Sequence, residues 1–548
     1  MFTAMNFPVA RRGVALSLAM LLGALADDVS ADAFPPQVPL SGIDGVIGFR
    51  LDGVGMNDRT GSALDAAGDI NGDGIADLLI GAEGASPNGV LVAGSTYLVF
   101  GRSAGFPTST SLGSLDGSTG VLFAGAAATD FSGRSVSAVG DLNADGIDDL
   151  LIGADYADPA GVLLAGSSYV VFGRVDGFPA SVSLADLDGL NGFRLDGVAT
   201  EDQSGLSVSG IGDINADGID DLVVGAPLAD PAGIADAGSS YVVFGSSAVF
   251  PASLNLASLN GSNGFRLDGV AEYGQSGSSV SAAGDVNNDG IDDLIIGVPY
   301  ATALGADLAG VSYVVFGRNS AFPAVLDLAS LVGNGGIRID GVSAGDASGL
   351  PVSAAGDING DGIDDVLIGA SLADPGGRSL AGSSFVVFGR DDGLPASIAL
   401  ASLDGQTGFR MEGPTSGEHF GSELSAAGDV NGDGIADVII GARGADRFPG
   451  GDSGSTYIVF GRAPVQGGFP ASQAVGNLTG RDGFRIDGAA SGDTSGSAVS
   501  AAGDINGDGI DDLAIGAPLA DPGAVSSAGS VYVLYGRNTI PVFENGFE

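Results

Sequence analysis

Seven times the chain carries the nine-residue pattern Asp-x-Asn-x-Asp-Gly-x-x-Asp, a spacing of side chains that can do cation chemistry. In the first copy Asp69, Asn71 and Asp73 stand at alternate positions, Gly74 permits a sharp turn, the Ile75 carbonyl can reach inward, and Asp77 closes the loop. The same set recurs as Asp141, Asn143, Asp145, Ile147, Asp149 and as Asp213, Asn215, Asp217, Ile219, Asp221. It continues as Asp285, Asn287, Asp289, Ile291, Asp293 and as Asp357, Asn359, Asp361, Ile363, Asp365. The last two are Asp429, Asn431, Asp433, Ile435, Asp437 and Asp504, Asn506, Asp508, Ile510, Asp512. Three carboxylates crowded into so short a loop repel one another, and all the donors are hard oxygens, so the expected cofactor is Ca²⁺, up to one ion per copy. An EF-hand is excluded: its twelfth position would be Ile80 rather than a bidentate Glu, and an apolar strand follows instead of a helix. The expected role is structural, with an affinity as loose as a Kd on the order of 10⁻⁴ to 10⁻³ M. Asp148, Asp220, Asp292, Asp364 and Asp511, at the eighth loop position, are expected to face solvent.

The elements that position these loops are short strands. The first six loops open 72 residues apart and the seventh after 75, so each period is one unit of a closed or stacked array. In the third unit a small-residue strand, LSVSG (206–210), leads into the loop and a continuous apolar strand, LVVG (222–225), leaves it. A long Pro/Gly/Asp-rich turn, the strand YVVF (241–244), a linker with FPAS, and GFRLDG (264–269) complete the unit. GFRLDG first occurs at 48–53, ahead of the first loop, and no such strand follows the last YVLYGR at 532–537. The expected fold is therefore all-β: a seven-bladed β-propeller of four-stranded antiparallel blades, its ring closed by the N-terminal strand completing blade seven.

Composition narrows the partners. The net charge is −47, from 67 acidic and 20 basic residues, and every basic residue is Arg. Nucleic acid and anionic membrane surfaces are excluded as partners by repulsion. Ninety-six glycines and 44% apolar residues fit a large core with many tight turns. The absence of cysteine excludes disulfides and thiolate metal sites. Arg11 and Arg12 precede the apolar run 13–26, which ends in a small-x-small site at Ala24–Ala26, with Val29–Ala31 as a second option. It reads as a secretory signal peptide and is short for a membrane span. The expected layout is a leader at 1–26 (cleavage up to 31), a linker at 27–41, the propeller at 42–537 and a tail at 538–548. No membrane span is expected in the mature chain. It is expected to be monomeric, secreted or at the cell surface.

Blocks such as GDINGDGIADLLIGA (68–82) and GDINADGIDDLVVGAP (212–227), followed by GSSYVVFG, resemble FG-GAP repeats, which build the seven-bladed propeller of integrin α-subunit heads and of many bacterial surface proteins. The resemblance covers roughly 42–537 and implies a calcium-bearing binding or adhesion module. There are departures: Phe-Gly survives only at Phe420-Gly421, and Gly-Ala-Pro is complete only in blades three and seven. Nothing resembles integrin leg, transmembrane or inserted domains.

If the acidic loops mark one face, ligand contacts belong on the other. That face is expected to carry Asp155, Asp158, Glu201, Asp202, Asp230, Asp236, Glu272, Asp374, Glu418, Asp446, Asp452 and Asp521, with aromatics Tyr156, Tyr273, Tyr300 and Phe448. Blade six differs most there, through Arg443, Arg447 and Phe448. The expected ligand is a basic protein or a glycan, against the bland alternative that such loops are simply turn formers. Arg194, Arg266, Arg338, Arg410 and Arg485 in the GFR strands, and Arg102, Arg174, Arg318, Arg390 and Arg462 after the third strand, repeat from blade to blade and are expected to be structural. Catalysis is not expected. His419 is the only histidine and no nucleophile motif accompanies it, so the remaining enzymatic option is carboxylate chemistry on a polysaccharide. The closing IPVFENGFE (540–548) resembles short acidic-aromatic tails of exported bacterial proteins.

Overall fold

The computed structural model describes residues 34–539, apart from 332, 334 and 448–450. The expected leader at 1–26 and the expected tail from 540 onward lie outside the described residues. Seven sheets form the seven blades. In blade one the strands run from the inside outward as Ala63–Gly68, Asp77–Ala82, Ser95–Val99 and Gly120–Ala124, each antiparallel to the last. The second and third strands are buried on both faces in every blade, which is why they read as unbroken apolar runs. The helical elements among the described residues are single 3₁₀ turns, such as Leu112–Ser114.

Closure follows the sequence. Gly48–Asp52 pairs antiparallel with Ser530–Leu534 and becomes the fourth strand of blade seven. What the sequence reading lacked is a fifth strand in every blade. The linkers after the third strands of blades one to six each contribute a short segment that runs parallel to the fourth strand of the preceding blade: Ser181–Ser183 beside Gly120–Ala124, and Ser253–Asn255 beside Gly192–Asp196. Blade six takes its fifth strand from the N-terminus, where Gln37–Pro39 pairs with Gly483–Asp487. That segment lies in the stretch read as linker, and it is part of a sheet.

The core sits between blades. One cluster joins Ala67, Leu79, Leu98 and Phe123 of blade one to Leu150, Ile152 and Tyr169 of blade two, and six similar clusters complete the circle. At the rim, the phenylalanine of five Phe-Pro segments stacks on the phenylalanine of a neighbouring blade's fourth strand. Phe106 lies on Phe49 at 3.9 Å, Phe250 on Phe193 at 4.4 Å and Phe469 on Phe409 at 4.1 Å between centroids. Phe34 lies on Phe484 in the same way, at 4.4 Å. Two blades depart from this: blade four has Ile337 and Leu394 in these places, and blade one has Val121, with Phe178 meeting Phe123 edge-on at 6.3 Å.

Candidate cation loops and the opposite face

Each inner strand ends in a bulge that delivers the chain into its acidic loop, as between Ala66 and Gly68. Gly68 has φ +69°, and a Cβ there would overlap the carboxylate of Asp148. Inside the loop, Asp69 Oδ1 accepts the Asp73 amide at 2.9 Å and Oδ2 the Gly74 amide at 2.7 Å, while Asp73 Oδ1 accepts the Ile75 amide at 3.0 Å. Asp77 is fully buried, accepts the Gly101 amide at 2.9 Å, and faces Asn71 Nδ2 at 3.2 Å. The other loops repeat this arrangement around Asp149, Asp221, Asp293, Asp365, Asp437 and Asp512, all with no exposed surface.

Burial, helped by the charges at the first and fifth loop positions, pushes Asp77, Asp149, Asp221, Asp293 and Asp512 up to about 8. Asp365 and Asp437 are raised well above the ordinary carboxylate value for the same reasons. A buried carboxylate of this kind needs a proton or a cation. Asp149 Oδ2 and Asn431 Oδ1 are buried with no hydrogen-bond partner. These orphaned oxygens, in an all-oxygen donor set, fit a hard divalent ion. Among the described residues no three acidic side chains converge to hold a metal as they stand, because the first and fifth positions are tied to loop amides.

The eighth-position carboxylates do not point into solvent as expected. Asp148, half-buried, accepts the amide of Asp69 in the blade before it at 2.9 Å, and four others do the same. A single repeat cannot show this, because donor and acceptor belong to different blades.

The arginines are structural. In the fourth strands Arg50, Arg266, Arg338, Arg410 and Arg485 each pair with the acid two residues on, at 2.6–3.3 Å, and Arg194 pairs with Asp196. After the third strands, Arg102, Arg318 and Arg462 lie over Phe106, Phe322 and Phe469 at 4.1–4.6 Å, and Arg174 over Phe178 at 5.7 Å. Arg390, whose linker has Leu394 instead of phenylalanine, pairs with Asp392 at 3.8 Å.

The FG-GAP repeat family matches the chain at residues 60–99, 132–171, 204–243, 276–315, 351–387, 420–459 and 495–534, one match per blade. The chain belongs to the FG-GAP repeat family.

It is 31% identical to integrin alpha pat-2 of Caenorhabditis elegans over 245 residues, 44% of this chain and 18% of that protein. It is 29% identical to integrin alpha-5 of Xenopus laevis over 242 residues, 44% of this chain and 20% of that one. Against the bovine phosphatidylinositol-glycan-specific phospholipase D the identity is 34% over 165 residues, 30% of this chain and 18% of the enzyme. The matched stretch thus spans about a fifth of each relative. Among solved structures, BBS1N in complex with ARL6DN, soaked with lead, aligns over 92% of this chain and 96% of that one, with a TM-score of 0.40 and 10% identity.

The FG-GAP propeller departs from its repeat on the face opposite the loops. Where blades three and seven place Pro227 and Pro518, blades one and two place Glu83 and Asp155. Glu83 binds Arg59 at 3.1 Å and Arg134 at 3.0 Å, and Arg134 approaches the fully buried Asp155 at 3.4 Å. Burial lifts Asp155 to about 6, against the opposing charge of Arg134. In blade six Glu418 replaces the aspartate found at Asp58, Asp130, Asp202, Asp346 and Asp493. Its carboxylate is buried and takes hydrogen bonds from Thr415, Arg447 and Tyr457 at 2.6, 2.9 and 3.2 Å. Arg447 is therefore the counter-ion of Glu418, not a free ligand contact, and Phe448 lies outside the described residues. Asp158, Asp230, Asp374, Asp446 and Asp521 each accept an amide six residues on at 2.7–2.8 Å, closing their turns. His419 Nδ1 is buried without a hydrogen-bond partner. Exposed on this face are Glu201, Glu272 and Tyr273, and a group of apolar loop tips that the sequence reading missed. Leu91 is 64%, Leu163 52% and Leu304 74% exposed. Among the described residues no helix is long and apolar enough to cross a membrane.

Proposed function

We propose that this FG-GAP propeller is an exported binding module whose seven acidic loops take Ca²⁺ and whose partner docks on the opposite face. The calcium reading is carried by the fully buried ninth-position carboxylates, Asp77 and its six counterparts, whose nine-residue loops contain no basic side chain. The first, third, fifth and ninth side chains and the seventh carbonyl would hold the ion. The ion would supply the positive charge that burial otherwise withholds, tying both ends of the loop together. The binding reading rests on the large apolar side chains left exposed at Leu91, Leu163 and Leu304, interspersed with acids. Such a surface suits a protein partner that offers apolar groups flanked by basic ones. The integrin alpha resemblance supports the same reading, and the apolar run at 13–26 supports export.

Calorimetric melting in calcium and in chelator tests the first half: a melting temperature at least several degrees higher in calcium is expected, and an unchanged one refutes the calcium role. The second half is tested with Leu91→Ser/Leu163→Ser, which is expected to keep its melting temperature and lose binding to the producing cell's surface proteins. Retained binding, or selective capture on a glycan array, moves the reading to a lectin.

A further inference from the structure

The bridges made by the eighth-position carboxylates are not evenly distributed. Asp148 Oδ2 accepts the Asp69 amide at 2.9 Å, Asp220 that of Asp141 at 2.9 Å, and Asp292 that of Asp213 at 3.0 Å. Asp364 accepts the Asp285 amide at 3.0 Å and Asp511 that of Asp429 at 2.8 Å. In the two remaining blades the position is Ala436 or Ala76. Their methyl groups face Gly356 and Gly503, and among the described residues no carboxylate reaches the amides of Asp357 and Asp504.

The donor of each bridge is the backbone of the residue that opens the loop. Its side chain in turn holds the fifth and sixth loop amides, as Asp141 holds Asp145 and Gly146 at 2.9 and 2.8 Å. A carboxylate from the next blade therefore fixes the first cation-binding residue from behind and adds negative charge beside the loop. Partners of this kind, which orient a ligand without touching the ion, change metal affinity by about 10–100-fold when removed.

We infer that Asp148, Asp220, Asp292, Asp364 and Asp511 are positioning residues that build five of the seven cation loops across two blades each. The seven sites then fall into two classes: a tighter one at the loops opening with Asp69, Asp141, Asp213, Asp285 and Asp429, and a weaker one at Asp357 and Asp504. Blades one to five form one linked arc and blades six and seven another. The inference rests on the calcium reading for its affinity classes, but the bridges themselves do not.

Two measurements on the whole chain test it. Equilibrium calcium uptake should show five ions bound at free calcium about tenfold below that needed for the last two. Asp220→Ala should convert the pattern to four and three, and Ala76→Asp with Ala436→Asp should merge all seven into one class. Seven equivalent ions in the unaltered protein, or a pattern indifferent to Asp220→Ala, overturns the inference while leaving the calcium reading intact. No ion bound at all overturns both. In chelator, amide hydrogen exchange should be slower at the five bridged aspartates than at Asp357 and Asp504. Asp220→Ala should accelerate the Asp141 amide alone, with Asp220→Asn restoring its protection. Equal exchange at all seven refutes the bridges whatever the metal does.

Discussion

The junction between blades four and five and the junction between blades five and six join the same strands through the same kind of bulge. At the first, Asp364 of blade five reaches back to the Asp285 amide at 3.0 Å. At the second, Ala436 presents a methyl group to Gly356. Apolar packing is continuous across both, through Val352, Ile368 and Phe385 at one and Phe420, Leu424 and Tyr457 at the other. The difference teaches that cohesion of the ring comes from the inter-blade core, while the polar bridge is an addition aimed at the loop. A propeller can drop the bridge and keep the blade.

The sharpest way to break this comparison is to remove the buried ninth carboxylate on either side of it. Asp293→Ala and Asp365→Ala each leave a buried amide, Gly317 or Gly389, without its acceptor, and each should cost about 2 kcal/mol in chelator. In calcium the blade-four variant should lose more than the blade-five variant, as thermal melting will show. Equal losses in calcium would erase the distinction between the two junctions. Smaller effects come from exchanging the bridges. Asp364→Ala should destabilise the protein by about 1 kcal/mol and Ala436→Asp should stabilise it by less than that, measured by denaturant midpoint.

The smallest effect concerns pH. Blade six carries Glu423 on its inner strand, lining the central channel of about 410 Å³ among serines and alanines. Burial lifts Glu423 to about 7, against the attraction of Arg443. The folded state thus holds this proton more tightly than the unfolded chain, so the group costs nothing below pH 4.5 and its cost grows as pH rises to about 7. Glu423→Gln should match the parent at pH 4 and exceed it above pH 7, by under about 1 kcal/mol because the channel side of the group is open to solvent screening. A stability difference that does not change with pH would refute the shift.

Much of this architecture was legible in the sequence because a 72-residue period repeats every local signal seven times. The loops, the apolar second strand and the permuted GFRLDG strand at 48–53 each carry a signature within one unit. The fifth strand does not, since Ser181–Ser183 is short, polar and paired in parallel with a neighbour. A signal existed nonetheless: Phe34-Pro35 repeats the Phe-Pro of 106–107, 178–179, 250–251, 322–323 and 469–470. The bridging aspartates escaped for a related reason, because their partner lies 79 residues upstream, or 82 for Asp511, in the preceding blade. Arg447 was singled out as a difference, but only coordinates show that a buried glutamate required it.

The seam of the ring falls inside the turn that elsewhere carries an arginine onto a phenylalanine. Arg102 lies over Phe106 within one continuous linker, whereas Arg537 lies over Phe34 at the same 4.1 Å, although the two stand at opposite ends of the described chain. Thr539 is held there by the Asn431 carbonyl at 2.9 Å. The described residues thus begin and end at one spot on the rim, beside the acidic loop of blade six. Three residues separate Arg102 from Phe106, so a link of that length between Arg537 and Phe34 would make the backbone endless without displacing a blade.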